Sequence, residues 1–297
     1  MAARLPFVVS AVFHYLGPAF AVLLFVRVDV LGVAWLRIAA AAVVFALWRR
    51  PWRLLRDRDV LAWGAVLAAM NCCFYLAIDR LPLATVAAIE FLPVIALAAL
   101  GARTRRNAAA LVLAVPGVYL LTGVHLSGEP LGVVLALANA VLFAAYIVLA
   151  HRVASRGVGV DGLAASMLVA LVVVTPVAGW AALPAFGDPV ALLAGIGVGI
   201  SSSVIPYVAD QVAMKRLSRA GYALMVSLLP ATATVIGLLV LAQVPSLQDA
   251  LGIALVIAGV ALHREPTPPP SGSPPPRRRP SPAARPIPAS SGSRGHP

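Results

Sequence analysis

Charge is what this chain has least of. Of its 297 residues, 11% are Asp, Glu, Lys or Arg and 61% are apolar, against roughly a quarter charged in soluble domains. That excludes a water-soluble fold, which has no interior large enough to hide so much apolar surface. Cysteine is nearly absent too. Cys72 and Cys73 are adjacent, which gives neither a disulfide framework nor metal-ligand spacing, and packing is their expected role. There is no Walker loop, no dinucleotide-binding glycine fingerprint and no His-Glu-x-x-His pair. The five histidines, His14, His125, His151, His263 and His296, are scattered. No metal or cofactor is therefore expected, and nucleotide-driven transport would need a motor from another subunit. The apolar stretches also lack the alternation of a transmembrane β-strand.

What the chain does have is ten continuous apolar stretches: 7–26, 30–48, 59–78, 82–101, 108–124, 130–150, 161–182, 189–214, 219–241 and 247–262. A helix needs about 20 mostly apolar residues to cross the hydrocarbon layer. The expected fold is an all-α membrane protein of ten transmembrane helices. The first stretch has spanning length and no small-residue cleavage site, so it reads as an uncleaved anchor.

Basic residues sort by loop parity. All Lys and Arg except Arg27, Arg37 and Arg80 precede the first stretch or follow an even-numbered one, as Arg49, Arg105, Arg156, Lys215 and Arg264 do. Basic loops stay in the cytoplasm, which puts both termini inside a bacterial inner membrane. The opposite loops carry Asp29, Asp79, Glu129, Asp188 and Asp249. This topology accounts for the net charge of +12. With no basic folded domain and no stacking aromatics among the arginines, nucleic acid is not an expected partner. The expected partners are a small-molecule substrate and membrane lipid, with a homodimer left open. Residues 265–297 hold nearly half of the 25 prolines, so a disordered cytoplasmic tail is expected. It reads as a basic arm on anionic lipid or as a solvated extension.

The two halves resemble each other. Ala77, Arg80 and Leu81 have counterparts in Ala213, Arg216 and Leu217, and Ala114 to Val118 in Val256 to Val260. Five helices per copy is an odd number, so the second copy starts from the opposite side of the membrane. The expected organisation is two inverted five-helix repeats, 1–124 and 125–264, which in transporters build a site at their interface.

The run Met70 to Ile78, then Leu81-Pro82-Leu83 and Ile89-Glu90-Phe91, resembles the first repeat of bacterial threonine/homoserine exporters. These belong to the EamA branch of the drug/metabolite transporter superfamily. Leu36-Arg37-Ile38 with Pro51-Trp52-Arg53, Ala145-Tyr146-Ile147 with Arg152, and Ile205-Pro206-Tyr207 with Asp210 are similar to its second, sixth and eighth helices. The resemblance covers residues 5–264. It departs in the ninth helix, where Leu229-Pro230 and Ala242-Gln243 stand in place of family acids, which touches the coupling mechanism and not the fold.

Ionisable residues inside spans are costly and usually face a cavity or a partner. Arg37 and Glu90 lie at similar depths by residue count, so they could pair, either as a fixed salt bridge between helices or as a substrate or proton site, with substrate competing for one partner. Asn71, Asn139 and Ser202 lie near that depth and complete a candidate substrate layer, although each could equally be interhelical glue. Glu90, His14 and Asp210 are the candidates for proton coupling; a histidine titrates near neutral pH. Pro206, after Gly195, Gly197, Gly199 and Ser201, points to a broken eighth helix near Ser202.

The expected function is a secondary transporter exporting small metabolites, amino acids of the threonine/homoserine type, coupled to protons. The alternatives are an importer or drug transporter of the same fold, a membrane enzyme, and a non-transporting scaffold. An enzyme would need a nucleophile with an oriented base, and nothing in the sequence aligns Ser202 with His14.

Overall fold

The computed structural model describes residues 5–93, 104–126, 129–209 and 229–262. All regular structure among them is helical. The helices are α1 (Leu5–Leu24), α2 (Val30–Arg49), α3 (Arg58–Ile78), α4 (Leu83–Glu90) and α5 (Arg105–Leu126), then α6 (Pro130–Ser155) and α7 (Gly159–Ala178). Next, α8 runs over Pro189–Gly199, passes through a π turn at Ile200–Val204 and continues to Ala209. The last two are α9 (Leu229–Leu241) and α10 (Leu247–Leu262). Short 3-10 segments, Trp52–Arg56 and Trp180–Gly187, join α2 to α3 and α7 to α8. Asp210, Lys215, the turn carrying Ala213 and Leu217, and the C-terminal tail lie outside the described residues.

Of the loop acids read from the sequence, Asp29, Asp188 and Asp249 bond at helix starts, as Asp57 also does, whereas Asp79 follows the end of α3 and Glu129 makes no side-chain cap. Asp29 accepts a hydrogen bond from the Leu31 N–H at 2.9 Å. Asp57 accepts from Asp59 and Val60, and Asp188 from Val190 and Ala191. At α10 the pairing is reciprocal: Asp249 N–H donates to Ser246 Oγ and Ser246 N–H to Asp249 Oδ2, both at 3.1 Å. Each satisfies N–H groups that a helix start leaves without partners and sets a negative charge on the positive end of the helix dipole.

By length and composition α2, α3, α6, α7 and α8 can cross a membrane, and shorter apolar helices accompany them. Their outward faces remain apolar, with Leu47, Val141, Val172, Leu193 and Leu239 exposed, a surface suited to lipid. Exposed Trp48 and Trp52 sit beside Arg49, and exposed Trp180 and Phe186 beyond the far end of α7. Amphipathic rings favour such places at the two membrane–water interfaces.

Helices α2 and α7 run antiparallel. Gly32 of α2 lies against the Ala181 carbonyl just past α7, and at the other end Arg49 Nε bonds Asp161 Oδ1 at 2.6 Å. Helix α3 packs on α6 and α7, α8 on α1 and α2, α9 on α1 and α4, α4 also on α6, and α5 on α10. The small residues of α8 divide between two faces. A Cβ on Gly195 would meet Leu36 Cδ1 at 2.6 Å, and one on Gly199 would meet the Arg37 carbonyl oxygen at 2.8 Å, so this face lets α2 approach backbone to backbone. Gly197 and Ser201 instead line a lateral groove with Phe20, Leu23 and Arg27.

Candidate substrate site

A cavity of about 40 Å³ lies among α1, α2, α3, α4, α6 and α8, and His14, Arg37, Asn71, Glu90 and Asn139 all line it. Five residues singled out in the sequence are thus brought together from five helices. Ser202 does not line the cavity; its hydroxyl donates to the Val198 carbonyl one turn back. Asp210 lies outside the described residues.

Arg37 and Glu90 do not form the salt bridge that their depths allow. The ion pairs among the described residues lie elsewhere. Arg37, 7% exposed, donates from Nε to Ser203 Oγ at 3.0 Å and from Nη2 to the Ser202 carbonyl at 3.1 Å. Its guanidinium sits over the Tyr75 ring, 5.4 Å from the centroid, a cation–π contact. Glu90, 6% exposed, accepts from Asn139 Nδ2 at 3.2 Å. The physical reason is local: the π turn offers Arg37 a carbonyl and a hydroxyl, while α6 brings an amide to the carboxylate.

Asn139 Oδ1 is buried without a hydrogen-bond partner. Asn71 donates to the Leu67 carbonyl of its own helix at 2.8 Å, a bond that ties the amide to α3 beside the cavity. His14 is half-buried and meets the Tyr15 ring edge-on at 5.5 Å. The Nη1 of Arg37 and Oε2 of Glu90 make no hydrogen bond among the described residues. The cavity is therefore lined by a basic and an acidic side chain that form no ion pair with each other among the described residues. Such a pair suits a ligand carrying both signs of charge, because a guanidinium grips a carboxylate and a carboxylate accepts from an ammonium.

Sequence reasoning missed the apolar and aromatic walls: Pro18, Met70, Phe74, Phe143, Tyr146 and Tyr207. Phe143 and Tyr146 stack with centroids 6.0 Å apart. Met70, Phe74, Tyr146 and Tyr207 fall within the runs that carry the family resemblance, so a signal existed for them. Pro18 and Phe143 have none beyond their places in apolar helices. Among the described residues no group of His, Cys, Asp or Glu could hold a metal ion.

Two charge clusters lie outside the spans. Arg156 bonds Asp57 through both terminal nitrogens, at 2.7 and 3.1 Å, and approaches Asp59 at 3.2 Å. Its guanidinium holds the Asp57 carboxyl below the usual carboxylate range. At the other end Asp188 is likewise lowered, first by the Ala191 N–H and then by Arg27, whose Nη1 lies 3.0 Å away.

Fold and site define a helical membrane protein with a charged cavity among its helices. Residues 130–264 match the EamA-like transporter family. The chain is 30% identical over 249 residues to the threonine/homoserine exporter RhtA of Escherichia coli K12, covering 82% of this chain and 84% of that one. It is 29% identical over 262 residues to RhtA of Salmonella typhimurium, covering 84% and 88%. A protein of known crystal structure aligns at a TM-score of 0.57 over 88% of this chain and 96% of its own, at 19% identity, a likeness of fold alone. The chain belongs to the EamA-like transporter family; it is a membrane transporter and not an enzyme.

Proposed function

We propose that this transporter exports small zwitterionic metabolites, amino acids of the threonine/homoserine kind, across a bacterial inner membrane. The observation that carries the proposal is the cavity in which Arg37 and Glu90 face a common space without pairing. The substrate carboxylate takes Arg37 Nη1. The ammonium takes Glu90 and the unpartnered Asn139 Oδ1, with Asn71 beside them, while Ser202 contributes only through its carbonyl's hold on Arg37. The names of the E. coli and Salmonella relatives point to the same cargo.

The working architecture is two inverted five-helix repeats, 1–124 and 125–264, with both termini cytoplasmic and residues 265–297 as a tail. Helix packing supports it. Exchanging each helix with the one five places on turns the α3–α6 contact into α1–α8, α3–α7 into α2–α8 and α4–α6 into α1–α9, while α2–α7, α4–α9 and α5–α10 map onto themselves. All of these pairs are observed. Export is coupled to protons through Glu90, with His14 on the same cavity and Asp210 as the remaining candidate. The ninth-helix positions hold Leu229 and Gln243, and Gln243 is occupied in accepting the Leu83 N–H at 3.0 Å.

The test is uptake of labelled threonine and homoserine into inside-out vesicles. Acidifying the vesicle interior should drive accumulation above that of vesicles lacking the protein. Equal uptake in both preparations, for both amino acids, would refute the proposed cargo.

A further inference from the structure

We propose that Arg37 is a positioning residue for α8, supplying from a side chain the donor that Pro206 removes from the backbone. The π turn pairs the Ile205 N–H with the Ile200 carbonyl; where the ladder returns to α spacing, the next N–H, that of residue 206, would meet the carbonyl of Ser202, and proline has none. A membrane interior punishes a carbonyl left without a donor. At this carbonyl the structure places Arg37 Nη2, at 3.1 Å, while Nε of the same guanidinium holds Ser203 Oγ at 3.0 Å. The Tyr75 ring lies against the guanidinium, 5.4 Å from centroid to Cζ.

The surrounding packing brings α8 within reach. Gly199 lets the α8 backbone lie against the Arg37 carbonyl. Gly17 lets α1 close on Ser202 from another side, where any Cβ would collide with it. Beyond the π turn the same stretch of α8 delivers Tyr207 to the cavity, so holding Ser202 and Ser203 also holds one wall of the site. Arg37 thus has two attachments: Nε and Nη2 are committed to α8, and the residue also lines the cavity.

The two roles separate in a thermal-stability cycle on the full-length protein in detergent. Arg37→Met removes the donor, and Pro206→Ala restores a backbone N–H able to close the bond. Loss of the guanidinium charge beside Glu90 is common to both backgrounds and cancels in the cycle. The expected result is that Arg37→Met lowers the unfolding midpoint by several degrees in the native background and by less than half as much with Pro206→Ala. Pro176→Ala, in α7 and not beside a carbonyl that Arg37 bonds, should give no such rescue. Equal losses in all three backgrounds would overturn the proposal. If Arg37→Met cannot be recovered folded, Arg37→Lys, which keeps the charge and loses the fork, goes through the same cycle with the same criteria. The cycle needs no ligand. A chain that shows the rescue yet does not move labelled threonine keeps the positioning role and loses the proposed cargo; transport of threonine without the rescue does the reverse.

Discussion

Glu90 takes its hydrogen bond from Asn139, 49 positions further along the chain, and not from Arg37, the cation with which it shares a cavity. That division leaves each charge held by a neutral group. A neutral partner stabilises a charge without cancelling it, so both residues keep an interaction to offer a ligand.

Glu90→Gln tests whether that carboxylate carries the coupling proton. The change removes the charge with little loss of volume. Counterflow of labelled substrate should survive, while accumulation driven by a pH gradient should disappear. Gradient-driven accumulation at the native rate would remove Glu90 from coupling and leave His14 and Asp210 to be tested.

Gly17 is closed to larger residues by Ser202. Gly17→Val should destabilise the protein by about 1–3 kcal/mol, the usual range for overpacking, read as a lower unfolding midpoint. Gly197, with nothing within 4 Å of a built Cβ, is the control, and Gly197→Val should leave the midpoint near its native value. Equal effects at the two sites would contradict the assignment of α8 faces.

The two ends of the bundle should face opposite compartments. In a background with Cys72→Ser and Cys73→Ser, Gly187→Cys should react with an impermeant thiol reagent added to intact cells, and Arg105→Cys should not. Labelling of Arg105→Cys from outside would refute a topology with both termini in the cytoplasm.

The Asp57–Arg156 contact has a defined pH dependence. The folded-state value of Asp57 lies below its ordinary range, so its contribution to stability is complete above the unfolded value of about 3.9. It is lost as pH falls through the lower folded value. Asp57→Asn should therefore lower the unfolding midpoint slightly at pH 7, and the difference from the native protein should shrink as pH drops below about 4. The effect should be small because Arg156 and Asp57 are 42% and 26% exposed, where ion pairs are screened. A difference that grows with acidification would contradict the sign.

Much of the site could be read from sequence because charge in an apolar span is conspicuous. Arg37 and Glu90 stand out for that reason, and counting residues from the same end of α2 and α4 gives their depth. Depth is one coordinate only. Which residue a side chain meets depends on the rotation of its helix, and the π turn at Ile200–Val204 alters that rotation in α8 without a clear mark in the sequence beyond Pro206. The Arg37–Glu90 pairing that depth alone allows failed on that missing angle. Span limits were legible where an acid begins the helix, as Asp29 does for α2 and Asp188 for α8. The seventh stretch was expected to 182, but α7 ends at Ala178 and a 3-10 segment follows, since apolar composition does not distinguish the two.

The π turn has a bearing on how this helix can change over generations. It carries one residue more than an α-helix needs to cover the same rise. Loss of a single codon within 200–204 would let the ladder close as plain α-helix and leave everything beyond it facing as it does now, because the turn absorbs the extra residue. Tyr207 would keep its place on the cavity wall, and the Gly195 and Gly199 contacts with α2 would stay as they are. The helix can thus gain or lose this one residue while the lining of the site and the rest of the bundle stay in register.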